Sequence, residues 1–270
     1  SENNFNNRRI IKNTVFLYVR MLLVMIVSLY TSRVVLNALG VEDYGIYNVV
    51  GGVVSILGFF TSSLANATQR YINIGLGENN LTKTEQAFRQ AYTLMILLSI
   101  ILFIIGETLG LWFVYNKLVI PPERLTAALW VYQFSIISVI CSIIQVSFHA
   151  DVVAHERMNM YAYLGMLEAF ARLGIAFMII VNKNFDALKL YGILTASVSL
   201  FTLSFYIIYC NRHFRECKLR LYWSRELVGE MSRFIGQNLF GCFAWSAGIQ
   251  GTNIILNMFF GPAVNAARAI

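Results

Sequence analysis

Arg20, Arg33, Arg172 and Arg268 lie inside or close to long apolar runs of a chain in which only 13% of residues are charged. A guanidinium at the centre of a bilayer costs about 3 kcal/mol or more, so these four are expected to face a wet, protein-lined cavity and not lipid. Positive groups in such a cavity suit the binding of a negatively charged cargo. The acids in comparable positions are Glu107 and Glu168. Glu168 stands four residues before Arg172, which puts both on one helix face where each can neutralise the other. That pair reads either as structural or as an ion-sensing pair lining a lumen. Glu107 has no partner in its own run, so it must be protonated, close to an interface or paired elsewhere. Arg70 and Arg157 fall between runs, where they either receive a phosphate-bearing headgroup or simply hold their loops on the inner side.

Arg20 follows Lys12 by eight residues, about 12 Å along a helix, which is too deep for easy snorkelling. Arg33 precedes Gly40 by seven residues, about 10 Å, and could snorkel outward. The two arginines differ by about 140° around the helix and cannot share one narrow stripe. His149, Asp151, His155 and Glu156 invite a metal reading, but the two histidines are about 240° apart on a helix and point away from each other. Cys141, Cys210, Cys217 and Cys242 show no CxxC spacing and read as small apolar fillers. No metal, no cofactor and no catalytic residue is expected, because no nucleophile-and-base or paired-acid arrangement is present.

The elements that carry these residues are helices in a membrane. The chain has 270 residues, of which 57% are hydrophobic, and its mean hydropathy is +0.61; no water-soluble core of this size requires that. A spanning helix needs roughly 20 apolar residues, and Thr14 to Leu39, Tyr44 to Leu64, Ala87 to Val114, Leu125 to Phe148, Tyr161 to Val181 and Leu188 to Cys210 each meet the requirement. A seventh run begins near Phe234. The fold class is therefore all-α, a polytopic helix bundle. Pro121-Pro122-Glu123 suits the opening of the fourth helix. Thr82 to Glu85 has capping-box spacing for the third, and Asp186 can cap the sixth. Small residues on the second run (Gly51, Ser55, Gly58) and the seventh (Gly241, Ala244, Gly248, Gly251) permit close helix contact.

Lysine and arginine mark the inner side of a membrane protein. The segments holding Arg8, Arg9 and Lys12, then Arg70, Lys83 and Arg89, then Arg157, then Arg212 to Arg233 are far more basic than the alternate set, whose lysines and arginines are Lys117, Arg124, Lys183 and Lys189. The N-terminus and the loop 211–232 are therefore expected inside. This asymmetry explains much of the net charge of +7, so no nucleic-acid partner is needed. The first run is too long for a secretory signal and lacks a small-residue cleavage site. Between the sixth and seventh runs, Leu219, Leu221, Trp223, Leu227 and Met231 alternate with Arg220, Arg225, Glu226 and Glu230, so this segment is expected along the membrane surface against lipid headgroups. The expected organisation is an inner arm (1–12), a six-helix lobe (13–211), an amphipathic linker (212–232) and the start of a second lobe (233–270). The missing initiator Met and the stop just as another helix begins read as a fragment of a longer chain.

Ser32-Arg33-Val34-Val35-Leu36-Asn37-Ala38-Leu39-Gly40-Val41-Glu42-Asp43-Tyr44-Gly45, running on to Gly52 and followed by Ala67-Thr68-Gln69-Arg70-Tyr71, resembles the opening of bacterial Wzx-type polysaccharide (O-antigen) flippases of the multidrug/oligosaccharidyl-lipid/polysaccharide exporter superfamily. The Leu-Gly-x-x-x-Tyr-Gly turn is its most distinctive piece. Asn253 to Arg268, with Gly-Pro-Ala-Val-Asn-Ala-Ala-Arg, is similar to the start of that family's second lobe, and Ile254 to Asn257 echoes Val34 to Asn37. The resemblance implies a V-shaped pair of six-helix lobes in the bacterial inner membrane that moves an undecaprenyl-pyrophosphate-linked oligosaccharide for surface polysaccharide synthesis. It makes Arg268 a cavity candidate in helix eight and a polysaccharide polymerase complex a candidate partner.

Two other classes compete. A drug or cation antiporter of the same superfamily would want acids lining its cavity, whereas arginines outnumber acids here. A membrane-embedded glycosyltransferase or ligase would need a sizeable outer loop with paired acids or a nucleophile, and the outer loops are short.

Overall fold

The structure is a computed structural model that describes residues 2–57, 60–116, 120–182, 185–238 and 241. All regular structure among them is helical, as hydrocarbon demands of a chain that must satisfy its own backbone groups. Helix α1 (Glu2–Leu57) changes direction at Gly40, whose φ of 80° falls in the left-handed region that glycine alone enters without strain. The first expected span and most of the second thus meet at one residue. The inner arm is not a separate coil, since α1 begins at Glu2 and nothing between it and Gly40 breaks a helix. Next come α2 (Phe60–Gly77) and α3 (Leu81–Ile105), which passes through a π-helical stretch, Gly106–Gly110, into α4 (Leu111–Asn116). A 3-10 turn, Pro122–Arg124, opens α5 (Leu125–Ala154); α6 (Met158–Val181) and α7 (Ala187–His213) complete the bundle. After an extended connector, α8 covers 225–238.

Among the described residues, five helical stretches are long and apolar enough to cross a membrane: Thr14–Asn48, Leu81–Asn116, Pro122–Ala154, Met158–Val181 and Ala187–His213. The second expected span includes residues 58–59, which lie outside the described residues. Helix α2 then continues past the expected boundary, so Arg70 lies on a helix and not in a loop. Asn80, not Thr82, caps α3: its side chain accepts from the Lys83 amide at 3.1 Å, because the Gly77–Asn80 turn brings it to the Ncap position. Asp186 caps α7 as the sequence suggests, accepting from Leu188 and Lys189 at 3.1 and 3.2 Å.

Helix α5 is the central post, with buried residues recurring from Ala127 to Val152, and it packs against α1, α2, α3 and α7. Val35, Val50, Val131 and Leu188 fill the core near the Gly40 end, and Ile72, Phe88, Phe148 and Cys210 fill it at the other. At the Gly40 end, Arg124 bonds Asp43 at 2.8 Å and Asp186 at 2.9 Å, tying the α1 kink, the α5 start and the α7 start together. At the other end the connector runs along α3. Arg89 donates to the Arg220 and Leu221 carbonyls, while Thr93 and Gln90 accept from the Tyr222 and Ser224 amides. Leu219, Leu221 and Trp223 are exposed on this extended segment, so its amphipathicity has a period of two there and becomes helical only in α8.

Candidate transport site

Arg20 leaves α1 toward α6, where its guanidinium carbon sits 4.1 Å from the centre of the Tyr161 ring. Gly165, one turn further on, makes room: a β-carbon there would overlap the guanidinium. The His149 ring from α5 packs edge-on to Tyr161 at 4.7 Å, with Tyr206 of α7 behind. Arg20 is half-buried, its Nε makes no hydrogen bond, and no carboxylate pairs with it among the described residues. Its charge thus meets an aromatic face and, among the described residues, no acid.

A polar seam continues along α6. Tyr161, Gly165, Glu168 and Arg172 are spaced to share one face, and Arg172 donates to Glu168 Oε1 through Nη2 at 2.8 Å and Nε at 3.2 Å. The Arg172 side chain is 42% exposed and that of Glu168 35%, so the pair stands at the edge of the bundle, near the Tyr47–Tyr191 ring contact. Arg33 is exposed on a different side of α1 from Arg20, as the helical angle requires. It has no described partner.

Glu107 finds its partner in α5: Gln133 donates to Oε2 at 3.1 Å, while the buried Oε1 accepts nothing. It lies in the π-helical stretch, where the Gly106 carbonyl accepts both the Leu111 amide and, at 2.7 Å, the Tyr132 hydroxyl. Gly110 leaves room for that hydroxyl, since a β-carbon would collide with it. Such π-turns often mark functional sites.

Arg70 projects from α2 and stacks on Phe234 of α8 at 4.4 Å. Asn66, Gln69, Arg70 and Asn73 recur at i, i+3, i+4 and i+7 and line an open cavity of about 450 Å³ with Ile74. Sequence reasoning missed this amide face, although its helical spacing was readable. Arg157 occupies the α5–α6 turn and lines a different, larger cavity of about 830 Å³ together with His155, His213, Arg215 and Glu216. Arg70 and Arg157 thus line different cavities. The larger cavity does not reach Arg20. Arg268 lies outside the described residues.

The two histidines separate as their spacing requires: His149 joins the Arg20 seam, and His155 turns toward the connector. The cysteines are a different matter. Cys141 is a buried filler, but Cys210 and Cys217 converge with Asp151, and Asp151 converges with His155 and Glu216. No sequence spacing announces this grouping.

No family model matches the chain, and no curated protein does. Among solved structures, a multidrug resistance MATE family transporter of the MOP superfamily, in an inward-facing conformation, superposes with a TM-score of 0.66 at 14% identity. The match covers 90% of this chain and 57% of that one, so the chain spans a little over half the length of its structural relative. At that identity the likeness is one of fold. The chain is therefore a multi-pass, all-helical membrane protein whose helices are arranged as in part of a MATE-type transporter.

Proposed function

We propose that the chain is the first lobe of an exporter that flips a polyprenyl-pyrophosphate-linked oligosaccharide across the bacterial inner membrane, with its N-terminus and connector on the cytoplasmic side. The carrying observation is the sign of the charge left available. Glu168 is paired with Arg172 and Glu107 meets only the neutral Gln133, whereas four arginines, Arg20, Arg33, Arg70 and Arg157, have no carboxylate partner among the described residues. An anion is the cargo such a surface binds. The open face of α2 adds glycan chemistry: the amides of Asn66, Gln69 and Asn73 both donate and accept, as sugar hydroxyls require, beside the phosphate-binding fork of Arg70. The polymerase complex belongs to this reading as a partner that would receive the flipped cargo.

The test is export in a strain that depends on the full-length gene. Arg70→Ala is expected to lower surface polysaccharide about tenfold, the loss of one charge-assisted contact, with lipid-linked precursor accumulating on the inner leaflet. Unchanged polymer and no precursor build-up would remove Arg70 and its amide neighbours from the cargo path.

One observation favours a second reading, a proton-coupled drug or cation antiporter. The buried Glu107 oxygen without a hydrogen bond sits in a π-helical stretch, which is where a proton-exchanging carboxyl would be placed. On that reading Glu107→Gln abolishes resistance to cationic drugs, measured as the minimal inhibitory concentration, and leaves polysaccharide intact. The opposite outcome, intact resistance with altered polymer, assigns Glu107 to the flippase cycle instead.

A further inference from the structure

Asp151 ends α5 fully buried, His155 follows one turn later, and Glu216 and Cys217 approach from the connector. His155 Nδ1 lies 3.1 Å from the Asp151 carbonyl oxygen. A carbonyl can only accept, so Nδ1 carries the hydrogen and the Nε2 lone pair of the neutral ring points the other way. It points at Glu216 Oε1, 2.9 Å away, which takes no hydrogen bond from any other group. Asp151 adds a third donor. The Cys217 thiol donates to its Oδ2 at 2.9 Å, while the buried Oδ1 accepts nothing. Asp151 Oδ1 lies 3.6 Å from His155 Nδ1 and Glu216 Oε1 2.9 Å from Nε2, so the ring stands between two buried carboxylates, and one ligand atom from each of the three side chains lies within 4.8 Å of the others. Buried acceptors left facing each other are costly unless something positive lies between them.

We propose that Asp151, His155 and Glu216 bind one divalent first-row metal ion of the Zn²⁺ class. A neutral imidazole with two carboxylates balances a dipositive ion, and this mixed nitrogen and oxygen set suits such ions. Donors at bonds of about 2.1 Å in a tetrahedral ion are about 3.4 Å apart, and one ligand atom from each of these three side chains lies within 4.8 Å of the others. The cavity of about 830 Å³ reaches His155 and Glu216 and gives water ligands access from outside. Cys217 orients the Asp151 carboxylate and the Asp151 carbonyl fixes the His155 tautomer, the outer-shell support that metal ligands usually have. The bound ion staples the first residues of the connector to the end of α5.

A proton is the competing occupant. Burial opposes the charged ring, yet the Glu216 and Asp151 side chains hold the His155 pKa above its ordinary value. Burial likewise raises the Glu216 pKa, but His155 brings it below the ordinary carboxylate range. The two occupants are separated by metal analysis of the full-length protein in detergent, purified through a tag without histidines. Expected are about one equivalent of metal per chain, or one equivalent of added Zn²⁺ bound by calorimetry, and a melting temperature about 5 °C higher with Zn²⁺ than after chelation. His155→Ala and Glu216→Gln are expected to weaken Zn²⁺ binding at least tenfold, while His213→Ala, in the same cavity, leaves it unchanged. A wild-type protein that takes up no stoichiometric Zn²⁺ and melts at the same temperature with and without it would overturn the site, whatever the variants do. So would binding lost in His213→Ala and kept in His155→Ala.

Discussion

Arg20→Ala in the full-length protein is expected to cut surface polysaccharide by tenfold to a hundredfold or more while leaving the amount of protein in the membrane unchanged. The two halves of that expectation have separate causes. Arg20 is half-buried, rests on Tyr161 and has no carboxylate partner among the described residues. Removing it therefore orphans no buried acid and costs about 1 kcal/mol of cation–π contact, offset by one fewer charge in a low-dielectric bundle. On the proposed function what is lost is the grip on an anionic cargo, which at about 1.5–3 kcal/mol for a charged hydrogen bond gives the stated range. Arg20→Lys keeps the charge but not the flat stack on Tyr161, so an intermediate output is expected. Polymer is measured at the cell surface and protein by immunoblot of membranes. Normal polymer from Arg20→Ala would show that the polar seam between α1 and α6 is structural.

Arg124→Ala should act in the opposite way, through stability. Arg124 is the common partner of Asp43, whose side chain is 5% exposed, and Asp186, which is 26% exposed. Its loss leaves a nearly buried carboxylate without a counter-ion, a change that costs 3–5 kcal/mol where burial is complete. The Arg124 side chain is 39% exposed, so water can partly replace it. About 2 kcal/mol is the expected net cost, a fall of roughly 5 °C in the melting temperature for a chain of this size. Asp43→Asn with Arg124→Ala should recover part of that fall, because the orphaned charge is then gone. Thermal unfolding in detergent checks both; an unshifted Arg124→Ala would mean that the three ends at the Gly40 side are held by apolar packing alone.

These arrangements differ in how far they could be read from residue order. The Gly40 break, the Asp186 cap, the proline opening of α5 and the Glu168–Arg172 pair were all legible, because each is settled within one or two helical turns. The different facings of Arg20 and Arg33, and of His149 and His155, were legible for the same reason. Asn80 and not Thr82 caps α3, and the length of α2 that puts Arg70 on a helix was hidden by polar residues resembling a loop.

By itself the sequence determined a helical, membrane-spanning chain with arginines out of place in lipid, since a backbone in hydrocarbon must bond to itself and a run of about 20 apolar residues leaves it no other form. Only the tertiary structure decided what those charges meet: Tyr161 for Arg20, Gln133 for Glu107, Asp43 and Asp186 for Arg124, and the joining of Asp151, His155 and Glu216. The physical reason is that lipid tails are as apolar as a protein core. A spanning helix is therefore hydrophobic all round, and its sequence does not say which face turns inward until the neighbouring helices pack against it.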